Sequence, residues 1–306
     1  MASRKTSEER IVATARVQDT VFAVIGVVVL LLAMTILLAL VIDLMKDGLG
    51  RINGQFLTDF PSRRPAEAGV LSAWVGTTLV MFVTALLAIP LGVGAGLYLE
   101  EYAAKNWMND VIEINVSNLA GVPSIIYGLL ALGFFVYGLH LGQTILVGGM
   151  VLALLILPIV IVATREAVRS VPSALRESAY GVGCNRWQVV WRYVLPSAQP
   201  GILTGAIVGL SRAIGETAPI ITIGALTFIA FLPPSPFQTS PPYVNFDWLE
   251  SPFTVMPIQM FNWISRPQEA FHINAAATGV LLLAMTLVMN GFAIFLRYHL
   301  RKRLQT

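Results

Sequence analysis

The stretch VFAVIGVVVLLLAMTILLALVI, residues 21–42, carries no charge over the length a helix needs to cross a hydrocarbon layer of about 30 Å. In lipid every backbone polar group has to be satisfied within its own segment, so such a run can only be a helix. Comparable apolar stretches follow at 70–99, 114–139, 144–164, 201–232 and 274–296. With 56% of its residues hydrophobic and only 12% charged, the chain is not a soluble globular domain. The expected class is an all-α membrane protein with six transmembrane helices. The first stretch exceeds a signal-peptide core and lacks a small-residue cleavage pattern after it, so it is expected to be retained.

An even number of spans puts both termini on one side, and Lys and Arg choose the side. Arg4, Lys5, Arg10 and Arg16 precede the first span, and Arg297, Arg301, Lys302 and Arg303 follow the last. The loop between spans four and five holds Arg165, Arg169, Arg176, Arg186 and Arg192, whereas the loop between spans five and six holds only Arg266. Both termini are therefore predicted to be cytoplasmic. The first external loop dissents with Lys46, Arg51, Arg63 and Arg64, accompanied by Asp43, Asp47, Asp59 and Glu67. The expected divisions are a tail at 1–20, a six-span domain at 21–296 and a tail at 297–306.

The net charge of +3 follows from this topology and gives no sign of nucleic-acid binding. A single cysteine, Cys184, excludes an internal disulfide, and His140, His272 and His299 have no metal-ligand spacing.

Two loops exceed what a connection requires. In the cytoplasmic loop, 165–200, apolar residues from Leu175 to Val194 recur at helical spacing and are interrupted by Gly181 and Gly183. That predicts two short helices with a glycine turn between them, outside the membrane, the first beginning near Ser173 with Glu177 close to its positive end. The external loop, 233–273, is rich in proline; Trp248, Phe253, Phe261 and Trp263 suit a membrane interface, and a short interfacial helix is expected near 257–264. Pro90, Pro123, Pro158 and Pro219 fall within spans, beside glycine clusters such as LGVGAG at 91–96. They read either as close helix packing or as hinges in a protein that changes shape.

Within the cytoplasmic loop, ESAYGVGCNRWQVVWRYVLP at 177–196 resembles the EAA motif of ABC importer permeases. Glu177, Ala179, Gly183, Leu195 and Pro196 fall in register, while Ser178 replaces an alanine and Tyr193 an isoleucine. The resemblance implies a type I ABC importer permease architecture, MetI-like, in which Glu177, Ser178, Ala179, Gly183, Leu195 and Pro196 belong to a coupling helix docking on a separate ATPase. No lysine of this chain follows a glycine, so no P-loop is present, and ATP with its magnesium is expected on that partner. No cofactor and no catalytic residue is expected on this chain.

The fifth stretch contains LSRAIGETAPI at 210–220, with Arg212 and Glu216 four residues apart on one predicted helix face. Entering near Gly201 and rising about 1.5 Å per residue, the helix would place them roughly 16 to 22 Å deep. Charges there cost about 2.5 to 3.5 kcal/mol each on insertion scales, and usually line a polar path; a pair locked in the bundle is the plainer reading. Together with NLAGVPSIIYGLLALG at 118–133, IPLGVGAGLYLEEYA at 89–103 and FTVMPIQMFNWIS at 253–265, this region is similar to the PstA-type permeases of bacterial phosphate importers. The similarity covers every span except the first, which matches only in hydrophobicity.

That family implies ATP-driven phosphate import by alternating access in the bacterial plasma (inner) membrane. It also implies a homologous second permease of PstC type, two ATPase copies of PstB type and an external phosphate-binding protein of PstS type. Ser211, Arg212, Glu216 and Thr217 are then the expected path residues. Guanidinium matches phosphate oxygens bidentately, which makes Arg212 the transient ligand. Glu216 is expected to pair with Arg212 when the path is empty and to take a proton from passing phosphate. An importer permease for sulfate, molybdate or an amino acid would share the EAA-like segment, and only the RAIGETAP region argues against it. An ion channel would conduct without ATP, and an intramembrane enzyme would need convergent groups that the distant histidines do not supply.

Overall fold

The computed structural model describes residues 2–104, 106–237 and 243–303, with side chains described at 15–16 and from 18 to 299 within those bounds. Arg4, Lys5, Arg10, Arg301, Lys302 and Arg303, on which the expected topology partly rests, lie outside the described side chains, as do residues 238–242 of the proline-rich loop.

Helix α1 (Ala2–Gly48) runs through the tail and the first apolar stretch without interruption. Its apolar residues from Val21 to Met45 are largely exposed. It meets the rest of the chain near its C-terminal end, where Gly48 lies so close to Ala276 and Ala277 that a Cβ would come within 2.7 Å of their backbone. The next segment contains a helical turn, α2 (Gly54–Thr58), capped by Asn53, whose side chain accepts from Phe56 N at 2.8 Å. Arg51 folds over the Phe56 ring, donates to Asn274 Oδ1 at 2.9 Å and reaches the carbonyls of Pro65, Ala66 and Ala68. One of the dissenting basic residues of this loop therefore has a structural occupation.

Helices α3 (Leu71–Leu97) and α6 (Ile145–Arg169) pack along the centre of the bundle, with Gly92 facing Val160 and Gly96 facing Thr164. Pro90 and Pro158 lie inside these helices without ending them. The third apolar stretch behaves differently and corrects the expectation of one continuous span. It forms α4 (Trp107–Leu119) and α5 (Ser124–Ala131), continued by a π-helical turn at Leu132–Gly138, with 106° between the two limbs. Pro123 has no N–H to give and its ring would crowd the carbonyl of Leu119 in a continuous helix; here the chain breaks, and Pro123 takes an extended conformation at the start of α5. The freed Leu119 carbonyl is taken by Tyr127 Oη at 2.8 Å and by Val122 N at 3.2 Å.

The segment 165–200 forms α7 (Ser173–Gly181) and α8 (Arg186–Val189). A π-helical turn at Val190–Val194 joins α8 to α9 (Leu195–Ala213), so the expected second short helix is instead the first part of the fifth span. The widened turn relieves the contact that Pro196 would make with the preceding turn. After α9 come α10 (Ala218–Thr222), α11 (Met256–Ile264) and α12 (Glu269–Arg303). Among the described residues five helical stretches are long and apolar enough to cross a membrane, or six if the bent α4–α5 pair is counted as one span.

The segment around α11 also departs from expectation. Trp248, Phe253 and Trp263 are buried, as are Met256, Ile258 and Gln259, while Phe261 and Ile264 are exposed. Met256 N donates to Thr77 Oγ1 at 2.9 Å, and Gly76 lies against the Thr254 carbonyl. Large aromatic rings are worth more filling the mouth of the bundle than lying on its surface, so the helix expected at an interface packs inward.

Candidate functional site

Helix α9 stops at Ala213, and Pro219, which cannot donate back to residue 215, falls in the first turn of α10, where a missing N–H costs nothing. The chain turns there, with Gly215 N reaching Arg212 O at 3.3 Å and Glu216 N reaching Ala213 O at 3.2 Å. Arg212 occupies the last turn of α9, where the negative end of the helix dipole favours a cation. Glu216 lies on the turn, so the pair expected on one helix face instead bridges a helix end. Arg212 Nε approaches Glu216 Oε1 at 3.2 Å. The helix also begins at Arg186, well before Gly201, which removes the basis for the expected depth.

The arginine side chain is 42% exposed and the glutamate 19%, so the pair lies on an open flank of this chain. Because Glu216 takes Nε, the edge formed by Nη1 and Nη2 has no hydrogen-bond partner among the described residues. Ser211 Oγ lies 2.7 Å from Ile207 O and 2.6 Å from Asn290 Oδ1, tying α9 to α12 instead of joining the pair. Thr217 stands at the N-cap of α10 with no side-chain cap bond.

Two broken helices cross here. A Cβ on Gly128 of α5 would collide with Thr222 Oγ1 and come within 2.7 Å of Pro219, so only glycine permits α5 to lie on α10. Both proline breaks therefore belong to one crossing beside the charged pair.

At the far end of α9 the residues of the EAA-like segment divide by exposure. Glu177 and Ser178 face outward, while Ala179 is buried with Val168, Val189 and Val194. Gly183 has φ of +85°, a left-handed conformation that a side chain resists, and it sets the turn between α7 and α8. Asn185 and Gln188 close a capping box at the start of α8. Leu195 and Pro196 lie half-buried at the start of α9.

The structure adds a network that the sequence reading did not single out. The end of α3 unwinds into a π-helical turn, Tyr98–Tyr102, which presents Glu100 and Glu101 in different directions. Glu100 accepts from Arg169 Nε and Nη2, both at 3.0 Å, and lies 3.5 Å from Arg165 Nε, while Arg165 Nη2 reaches Glu113 of α4 at 2.8 Å. Glu101 accepts from Arg176 Nε at 3.0 Å and Nη2 at 2.8 Å, which joins α3 to α7. An acidic dyad next to an apolar run, opposite arginines counted only for topology, was the available signal. A cavity of about 590 Å³ opens between α4 and the ends of α3 and α6, lined by Asn106, Trp107, Asp110, Glu113 and Arg165 among others.

A bundle of apolar helices with a charged double break and a polar helical loop at one end is the architecture of a polytopic membrane protein. The fold is that of type I ABC importer permeases. It overlays with a TM-score of 0.63 on a chain of a bacterial alginate ABC transporter in complex with its alginate-bound periplasmic protein, at 16% identity, covering 90% of this chain and 93% of that one. A chain of the MetNI methionine ABC transporter in an inward-facing conformation gives 0.54 at 14% identity, covering 74% and 93%. The family described as “Binding-protein-dependent transport system inner membrane component” matches residues 68–306, and this chain belongs to it. Among curated relatives, the probable ABC transporter permease protein YqgI of Bacillus subtilis is 33% identical, over 85% of this chain and 83% of its own. The phosphate transport system permease protein PstA 1 of Mycobacterium tuberculosis is 30% identical over 77% and 72%. The probable phosphate transport system permease protein PstA of Methanocaldococcus jannaschii is 29% identical over 93% and 94%.

Proposed function

We propose that this chain is a permease subunit of an ATP-driven importer of inorganic phosphate, forming half of the translocation path by alternating access. The relatives named as phosphate permeases support the substrate. The observation that carries the reading is Arg212, whose Nη1–Nη2 edge is open on an exposed flank while Nε is held by Glu216. That edge suits two oxygens of a tetrahedral anion. Glu216 keeps the empty site close to neutral, so the anion is not trapped.

The same carboxylate gives a basis for selecting phosphate. Near neutral pH phosphate still carries a proton that it can give to a carboxylate oxygen, whereas sulfate carries none. An acceptor left facing an oxyanion without a donor is penalised more heavily than a good hydrogen bond is rewarded. The flank that leaves the pair exposed is where a homologous second permease would close the path. Glu177 and Ser178 face outward on α7, where a partner ATPase would dock, carrying ATP and magnesium. This chain would itself be non-catalytic and sit in the bacterial plasma membrane with both termini in the cytoplasm. An external binding protein would deliver phosphate to the α11 end.

The test is ATP-dependent uptake of labelled phosphate into vesicles holding the reconstituted complex, with unlabelled sulfate as competitor. Uptake that sulfate does not reduce is expected; uptake of sulfate in its place, or of neither, would overturn the substrate assignment.

A further inference from the structure

We infer that Glu101 is a positioning residue that passes motion of the α7 loop to α4, giving that loop a connection to the α3–α4 limb besides its chain continuations from α6 and into α9. This rests on the coupling role proposed for α7. The continuous route runs from Arg186 to Ala213 and ends at the Arg212–Glu216 turn. The second route starts at Arg176 on α7. Its guanidinium meets the Glu101 carboxylate through Nε and Nη2, and also donates to the carbonyls of Val171 at 2.6 Å and Val168 at 2.8 Å. Every nitrogen of that side chain is engaged, which fixes its direction.

Arg186, at the start of α8, adds a second hold. Its Nη2 donates to the Glu101 carbonyl and its guanidinium lies over the Tyr102 ring, 5.0 Å from the centroid. Both sides of the Gly183 turn are thus fastened to one residue and its neighbour. The apolar contacts beneath α7, made by Ala179 with Val168 and Val194, are non-directional and tolerate sliding. A charge pair with Glu101 at 10% and Arg176 at 21% exposure does not, because separation leaves a poorly hydrated charge behind.

What Glu101 can move is set by its place in the chain. Only residues 103–106 separate its π-helical turn from α4, and α4 has no buried residue. The cavity of about 590 Å³ beside α4 provides room, and Glu113–Arg165 is the ion pair that reaches across from α4 to α6. Helix α4 leads directly to the break at Pro123 and so to the crossing of α5 with α10. A pull on Glu101 therefore arrives at the same crossing that α9 reaches from the other side. Glu100, adjacent to it, ties the same turn to α6 through Arg169.

The experiment uses the complete complex in vesicles and needs no substrate. Spin labels at Ala104, beside α4, and at Thr204 of α9 report the distance between them with and without trapped nucleotide. In the unmodified chain a nucleotide-dependent change in that distance is expected, and in Glu101→Gln it is lost while the ATPase remains bound. In a Cys184→Ser background, Glu101→Cys with Arg176→Cys should lose the change, and a flexible thiol cross-linker of matching span should restore it, which a general weakening of the fold would not allow. An equal change in Glu101→Gln and the unmodified chain would overturn the role of Glu101 alone. No nucleotide-dependent change in the unmodified chain would overturn it together with the coupling reading of α7.

Discussion

Arg212 with Glu216, and Glu100 with Arg165, Arg169 and Glu113, are two sets of opposite charges at two levels of one bundle. The first is made within five residues of one segment, across a helix end, and its arginine is 42% exposed. The second joins three helices, and Arg165 within it is only 9% exposed. Burial separates what the two can do. An exposed pair contributes little to stability and opens readily to a ligand, while a buried one is costly to open and holds its helices in register.

The largest effect should come from breaking the buried set. Arg165→Leu removes the buried cation between Glu100 and Glu113; Glu100 keeps Arg169 and Glu113 is half exposed, so stability should fall by about 2 to 3 kcal/mol, less than for a fully buried pair. Thermal unfolding of the purified complex would measure it, and an unchanged midpoint would show that the network is dispensable. Gly128→Leu forces a branched side chain between α5 and α10, with an expected loss of about 1 to 3 kcal/mol, read as reduced recovery of folded complex. Glu216→Gln should sharpen the contrast. Stability changes by no more than about 1 kcal/mol, as for other exposed pairs, while the amide N–H gives sulfate oxygens a donor and should let sulfate compete with phosphate in uptake. Gly183→Ala, at a φ of +85°, should destabilise the loop by about 1 kcal/mol without altering the substrate preference. At the surface, Arg64→Ala removes the ion pair with Glu67 and should change stability by less than about 0.5 kcal/mol.

The same contrast explains what could be read in the sequence. Arg212 and Glu216 stand out because both lie in an apolar run, and their contact needs only local geometry. The pairing of Glu101 with Arg176 joins residues 75 positions apart, and nothing local announces it. Prolines show a similar limit. Pro90 and Pro158 sit within continuous helices, whereas Pro123 and Pro219 stand at the start of a new helix after a break, although all four fall in apolar stretches. At the Pro123 break the freed Leu119 carbonyl is taken by Tyr127, a partner that packing supplies and the sequence does not announce. Trp248, Phe253 and Trp263 turn inward while Phe261 stays exposed, a division that composition does not announce because such rings suit an interface or a buried mouth equally well.

The most direct test of the central claim is ATP-dependent phosphate uptake by the reconstituted complex with Arg212 intact, changed to Lys and changed to Gln, with assembly and ATP hydrolysis followed in parallel. Loss of a charged hydrogen bond of about 1.5 to 3 kcal/mol corresponds to a fall of roughly ten- to a hundred-fold in uptake for Arg212→Gln, with assembly unchanged. Arg212→Lys should fall between, since it keeps the charge and loses the bidentate edge. Uptake in Arg212→Gln equal to that of the unmodified complex would contradict the account and leave the pair as a brace at the helix break.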